Sequence, residues 1–417
     1  MKLGTPNFNG ERLREAREAR CLKATVLAEK LGISKQAISQ YENGIQTPKP
    51  EVMVRMSEIL NLPFNFFLRE SYPIEENIIF FRSLSSTTKI TRVEARPKLK
   101  WLKEIVDYLR NFFVFPEINM PSITLDKNPI YLTAEEIEQI ATQCRKYWGL
   151  GNGVISDTVL LLENNGVIVT RSELSSMKMD AFSEWSLNDN TPYVFLIANK
   201  NCAVRSRYDL AHELGHLVLH KSIRKTDFSL KSEFNLIEEQ ADRFAGAFLL
   251  PSETFTLDFS IPTLDVLRML KEKWKTSIAM MIKRCENLGI IDKNYAKNLW
   301  ISYYRRDWRK KEPLDDILPI EQPRFIRRCF ETLIKENVQT KNDLIARLPF
   351  ANDMEQLACL PKGYLSEQQV EKEPMPQFRT PPNSVIPNKQ GKASIIPLNY
   401  HKVQSEQVNL LAEKVEI

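Results

Sequence analysis

Three of the four histidines in this chain lie within nine residues, in the segment AHELGHLVLH at 211–220. His212 and His216 are four residues apart. On a helix of about 3.6 residues per turn they stand about 40° from one another, so both imidazoles project toward one point. That is the geometry a tetrahedral zinc ion needs from two ligands. Glu213, one step on, is set to reach a metal-bound water, where a carboxylate can take a proton and later return it. The residues around the motif, Leu210, Ala211, Leu214, Leu217, Val218 and Leu219, are apolar. They place this helix in a core, where imidazoles without partners are costly. The motif therefore requires a buried helix and a second element that supplies a third ligand.

A histidine at position 222 would complete one known zinc motif, but that residue is Ser222. Downstream, NLIEEQADRFAGAFLLP reads as a helix on which Glu238 and Asp242 are one turn apart. A glutamate on zinc, followed four residues later by an acid that hydrogen-bonds a ligating imidazole, is the thermolysin-like arrangement. Glu238 is therefore expected as the third ligand and Asp242 as the support of a ligand histidine. Glu239 competes for the ligand role; it points about 100° away, and Phe244, Ala245, Phe248 and Leu249 mark the face of Glu238 as inward. His220 continues the row of histidines, but three successive turns of a straight helix cannot converge on one ion, so it is expected to pack or to support a ligand.

Near the start, KATVLAEKLGISKQAISQYENG at 23–44 carries two short helical patterns separated by Leu31-Gly32-Ile33. A glycine in that turn lets one helix cross the other, and the second helix can then enter a major groove. Ser34 is placed to cap that helix. Its outward residues Ser34, Lys35, Gln36, Ser39 and Gln40 offer hydroxyl, amine and amide groups, the types that contact base edges and phosphates. A small helical domain that binds a protein would show the same pattern.

A length of 417 residues calls for more than one core. With 43% hydrophobic and 27% charged residues the chain can bury enough apolar surface to fold, which excludes wholesale disorder. The six cysteines form no CxxC pair, which argues against a disulfide framework or a zinc-thiolate site. A net charge of +5 is too small to imply nucleic-acid binding by itself. No run approaches the roughly 18–20 apolar residues of a membrane span, and the opening MKLGTPNFNGERLREAR lacks a signal-peptide core, so a cytoplasmic protein is expected.

The expected architecture is multidomain. An all-α helix-turn-helix bundle occupies 1–70, and a helical connector and linker 71–132. A small α+β HExxH zinc-peptidase domain follows over 133–260, with strands in GVIVT at 166–170 and TPYVFLIAN at 191–199. Then come a mostly helical region over 261–365 and a disordered tail over 366–417. Three further features have a functional and a plain reading: the strand ending at Asn199 and Lys200 is a wall for substrate backbone or an edge strand without one, Arg205 and Arg207 are equally oxyanion donors or surface residues, and the basic-aromatic run 303–311 is more usually a solvated helical end than a nucleic-acid surface.

Two resemblances sharpen this reading. FNGERLREAREAR, LAEKLGISKQAISQYENG and PKPEVMVRMSEILNLP together resemble the Xre-type phage-repressor domain over about 60 residues. Lys23 and Ala24 stand where that family has a hydroxyl cap and a phosphate-contacting glutamine, which implies weaker or partner-assisted binding to double-stranded DNA. RSRYDLAHELGHLVLH, EEQADRFAGAFLLP, WGLGNGVISDTVLLLENNGVIV, MDAFSEW and PYVFLIAN resemble the ImmA/IrrE metallopeptidases across 133–253, and WKTSIAMMIKRCENLGII with DWRKKEP carries the likeness past 310. The resemblance implies a zinc cofactor and a protein substrate, commonly an Xre-type repressor that is cleaved or inactivated. Many repressors of this type dimerise, so a homodimer stays open, and no membrane partner is expected. Two other functions stay open: a regulator whose zinc domain senses a ligand or holds structure without proteolysis, and an antitoxin-like partner-binding module.

Overall fold

The computed structural model describes residues 4–73, 80–81, 89–123, 127–175, 180–199, 202–223 and 231–365; the expected tail over 366–417 lies outside the described residues. The N-terminal part holds α1 (Gly10–Ala19), α2 (Ala24–Leu31), α3 (Lys35–Glu42), α4 (Pro50–Leu60), the two-residue strand β1 (Phe80–Phe81) and α5 (Lys89–Leu109). The middle holds α6 (Ala134–Tyr147), α7 (Thr158–Asn164), β2 (Ile168–Ser172), β3 (Ala181–Trp185), β4 (Pro192–Ile197), α8 (Ala203–Leu219) and α9 (Lys231–Leu249). The rest is helical: α10 (Ser252–Phe255), α11 (Leu264–Trp274), α12 (Ile278–Asn287), α13 (Lys293–Arg305), α14 (Phe325–Lys335), α15 (Lys341–Arg347) and α16 (Ala351–Leu357). No helix among the described residues is long and apolar enough to cross a membrane.

In the N-terminal bundle the local signals act where the sequence puts them. Gly32 ends α2 in the left-handed region at φ 65°, a conformation that costs a residue without Cβ little, and the chain turns directly into α3. Ser34 Oγ caps α3 by accepting the Ala37 N–H at 3.1 Å. Lys23 leads into α2 without a side-chain cap. Leu13, Leu27, Leu31, Ile38, Met53 and Met56 form the interior.

This bundle is not strung on a free linker. Helix α5 buries Trp101, Leu102, Ile105 and Val106 in the same core as the bundle. Lys100 Nζ reaches Glu11 Oε1 at 2.8 Å and Glu15 Oε1 at 2.9 Å, and Arg12 reaches Glu104 at 2.9 Å. Arg20 forks onto Asp353 of α16 at 2.8 and 2.7 Å, and Trp101 stacks on Phe350, with ring centroids 5.4 Å apart. Half-buried, bidentate pairs of this kind fix orientation as well as contact. The proline-rich stretch before α6 is also held down: Asn119 O accepts Trp148 Nε1–H at 2.8 Å, and its Nδ2–H donates to Asn165 Oδ1 at 2.7 Å.

A four-stranded sheet, in the order β1-β3-β4-β2, separates two layers. Strands β2 and β4 are parallel, and β3 runs antiparallel to both β4 and β1. Side chains alternate across it. Phe182, Tyr193, Phe195 and Ile197 join the core shared by the N-terminal bundle, α5 and α14–α16, whereas Ala181, Trp185, Val194 and Leu196 join the core of α6–α9 and α11–α13. Both faces are covered, so PYVFLI reads as one apolar run. The C-terminal helices are thus divided between the two layers. Strand β3 escapes a pattern search because Ser183 and Glu184 interrupt it; both are buried. Their partners lie on opposite faces: Glu184 takes Lys103 Nζ of α5 at 3.0 Å, and Ser183 faces α8. Strand β4 is hydrogen-bonded on both sides, so the wall expected at Asn199 has no open edge for a substrate. Asn199 instead bonds the backbone of Leu174, and Lys200 lies outside the described residues.

Candidate metal centre and recognition helix

Helix α8 is apolar nearly all round and buried from Leu210 to Leu219. Helix α9 crosses it closely because Gly215 has no side chain: a Cβ there would sit 3.2 Å from Ala241 Cα and 3.2 Å from Phe244 Cδ1. The crossing brings Glu238 to the two histidines. His212 Nε2 and His216 Nε2 are 3.1 Å apart, with Glu238 Oε2 3.7 Å from the first and Oε1 3.4 Å from the second. All three ligand atoms lie within 4.8 Å of one another. Donors about 2.0–2.1 Å from a tetrahedral zinc ion stand about 3.3 Å apart, so these spacings fit that ion.

The outer nitrogens set the protonation of the inner ones. His212 Nδ1 lies 2.8 Å from Asp242 Oδ1, which also accepts the Tyr208 hydroxyl at 2.6 Å. A carboxylate acceptor keeps the proton on Nδ1 and turns the Nε2 lone pair inward. His216 reaches the same state by a longer route. Gln240 Nε2 donates to the carbonyls of Pro129 and Ile130 at 3.0 and 2.9 Å, which fixes its amide and aims Oε1 at His220 Nε2, 2.9 Å away. His220 therefore carries its proton on Nε2, and its Nδ1 accepts from His216 Nδ1–H at 3.0 Å. Burial, and next the neighbouring His216, hold His220 well below its ordinary range, so it stays neutral.

Two inward lone pairs and a carboxylate then face one another. Burial pushes the Glu238 carboxyl up, but the adjacent His216 and His212 more than reverse that. Burial likewise pushes His216 down, and Glu238 outweighs it. The cluster could hold a metal cation. One proton satisfies a single pair among three acceptors, whereas a divalent metal satisfies all of them.

Glu213 leaves α8 toward the sheet, where Ser183 Oγ of β3 donates to its Oε2 at 2.6 Å. A cleft of about 840 Å³ opens on the outer side of the cluster, lined by Tyr208, Gln240, Asp242, Ile130, Met280 and Tyr303 among others but not by Glu213 or the three candidate ligands. Sequence reasoning missed Ser183, Tyr208, Gln240 and the close approach at Gly215. The signal for Gly215 was present, as a glycine inside a buried helix. Arg207, for which an oxyanion donor and a surface residue were equal readings, is neither: it is buried in an ion pair with Glu321 and donates to Ile155 O at 2.7 Å, while Arg205 donates to Arg309 O. Tyr303 is spent on Glu312 at 2.9 Å and Trp308 packs against the same core, which removes both from base stacking.

The relay behind His216 makes a prediction. Gln240→Leu should weaken zinc binding roughly 10–100-fold, the usual cost of losing a partner behind a ligand. Competition with a zinc-chelating indicator would measure it, and an unchanged affinity would show that Gln240 does not orient the ligand.

On α3, Ser34, Lys35, Gln36 and Ser39 are exposed along one side and Gln40 is half-buried, while Ile38 and Tyr41 are turned into the bundle. Residues 13–67 match the helix-turn-helix family model. Residues 162–286 match the model of the IrrE N-terminal-like domain, a metallopeptidase-type family. The chain joins a helix-turn-helix module to an IrrE N-terminal-like domain. Helices α8 and α9, with Ser183 of β3, all fall inside the second match. Among curated proteins, an HTH-type transcriptional regulatory protein of Pyrococcus furiosus is 29% identical over 134 residues, 32% of this chain and 36% of that one. One of Methanoregula boonei is 44% identical over 55 residues, 13% of this chain and 17% of its own length. The HTH-type transcriptional repressor RghR of Bacillus subtilis is 38% identical over 68 residues, 16% of this chain and 50% of that one. The chain therefore spans half or less of each of these relatives.

Proposed function

We propose that this chain is a DNA-binding regulator with zinc-dependent endopeptidase activity that cleaves a repressor or another regulatory protein. The observation that carries the reading is the set of three inward-facing groups, His212 Nε2, His216 Nε2 and Glu238, beside a buried carboxylate, Glu213, that accepts a hydrogen bond from Ser183 Oγ. Zinc held by those three would supply Lewis acidity and make a water acidic enough to lose a proton near neutral pH. Glu213 takes that proton, and Ser183 Oγ orients the carboxylate while it does so. The same carboxylate then returns the proton to the departing amine of the cleaved peptide bond. Asp242 and the Gln240–His220 pair hold the two imidazoles in place. The cleft beside Tyr208 and Asp242 gives side chains of a protein substrate a place to lie.

The helix-turn-helix match and the regulator names of the relatives support the DNA half of this reading. In it, α3 presents Lys35, Gln36, Ser39 and Gln40 to a major groove, with Ser34 at its start. Two copies on a two-fold operator complete the proposal, which places the protein in the cytoplasm with its DNA and away from membranes.

One preparation tests both halves. The protein should retard DNA taken from upstream of its own gene, and replacing Lys35, Gln36, Ser39 and Gln40 together by alanine should abolish the shift. The zinc-loaded protein should cleave a repressor encoded beside this gene and stop when zinc is stripped by a chelator. A shift indifferent to the four substitutions would remove the groove-reading role, and cleavage indifferent to zinc would remove the peptidase mechanism.

A further inference from the structure

We propose that the outer edge of β3 is the docking edge for extended polypeptide, and that in the resting chain it is occupied by the connector's own β1, Phe80–Phe81. The connector is then an internal competitor of substrate. The consequence for cleavage rests on the peptidase reading, whereas occupancy of the edge does not.

An extended peptide binds a sheet by adding a strand to a free edge, using its backbone hydrogen bonds. Three of the four strands cannot offer one beside the metal centre. Strand β4 is paired on both sides, and β1 is itself the visitor. The outer side of β2 lies under the α16 segment, where Thr170 Oγ1 donates to Leu357 O and Cys359 Sγ to Arg171 O. Strand β3 is left. It carries Ser183, the residue that holds Glu213, so a chain paired with β3 runs past the group placed to act on it.

The register of β1 is Phe80 opposite Ser183 and Phe81 opposite Phe182, antiparallel. Paired strands lie about 4.8 Å apart, so the connector backbone occupies the space of such a chain at the point nearest Glu213. One end of the same strand reaches the cleft: Asp180, the residue before β3, lines it. An incoming strand that pairs with β3 displaces β1 and extends toward Asp180 at the cleft. The surrounding sequence ENIIFFRS, at 76–83, has the β-branched and aromatic composition that favours strand pairing.

The test is a binding measurement on the full chain, with the peptide ENIIFFRS carrying fluorescein as the probe. Wild type should bind it weakly, because its own copy holds the edge. Phe80→Pro with Phe81→Pro removes the N–H by which β1 pairs with β3, whichever of the two residues supplies it, since proline has none. That variant should bind at least tenfold more tightly by anisotropy. Equal affinity in the two proteins, or no binding by the variant, would overturn the proposal. Thermal melting checks the fold; if the proline pair unfolds the chain, Phe80→Gly with Phe81→Gly decides, with a smaller gain in binding expected and an unchanged value overturning the idea. Zinc-stripped protein should give the same result. Raised peptide binding without cleavage of any repressor would sustain the docking edge and defeat the peptidase reading, and cleavage with unchanged peptide binding would do the reverse.

Discussion

Glu213→Gln is expected to lower repressor cleavage by about 10²–10⁴-fold, the usual contribution of a positioned general base, while the bound zinc stays unchanged. Glutamine keeps the shape of the side chain and can still accept from Ser183 Oγ, so the helix and the nearby ligands have no reason to move. Its amide cannot take a proton from water. Zinc content by mass spectrometry and cleavage by gel, measured on the same samples, separate the two effects. Undiminished cleavage would exclude Glu213 as the base. Loss of zinc together with activity would mean that its charge supports the ion.

The second large effect concerns the third ligand. Glu238→Ala should reduce zinc affinity by more than the roughly 10–100-fold that an outer partner costs, because in the proposed site it removes a donor from the ion itself. Glu239→Ala should leave the affinity unchanged. The two glutamates are neighbours in sequence, but Glu238 lies 3.4–3.7 Å from the imidazole nitrogens, whereas Glu239 is exposed and lines the cleft. Isothermal titration with zinc distinguishes them, and a larger loss in the Glu239 variant would reverse the assignment.

Gly215 shows how a sequence signal can be legible and still incomplete. A glycine inside a buried helix announces that something approaches closely. It does not name Ala241 and Phe244, which lie on α9 some 26 residues or more away. Strand β3 is a harder case. Its buried Ser183 and Glu184 look like loop residues until α8 and α5 stand on either side to receive them, so β4, the more apolar strand, draws attention as the substrate wall. Its apolar run has the opposite meaning: a strand covered on both faces and paired on both edges has nothing free to bind with.

The sequence by itself determined what depends on one element at a time. The spacing of His212, Glu213 and His216, the Glu238–Asp242 turn, the Gly32 break and the Ser34 cap are set by helical period and by local hydrogen bonds, which act within a few residues. The tertiary structure alone decided which elements meet. It placed Ser183 behind Glu213 and Gln240 behind His220, joined the helix-turn-helix bundle to α5 and α16, and laid β1 on the edge of β3. Contacts of that kind are made between segments tens to hundreds of residues apart, where packing of buried apolar faces chooses the partner and no local pattern records the choice.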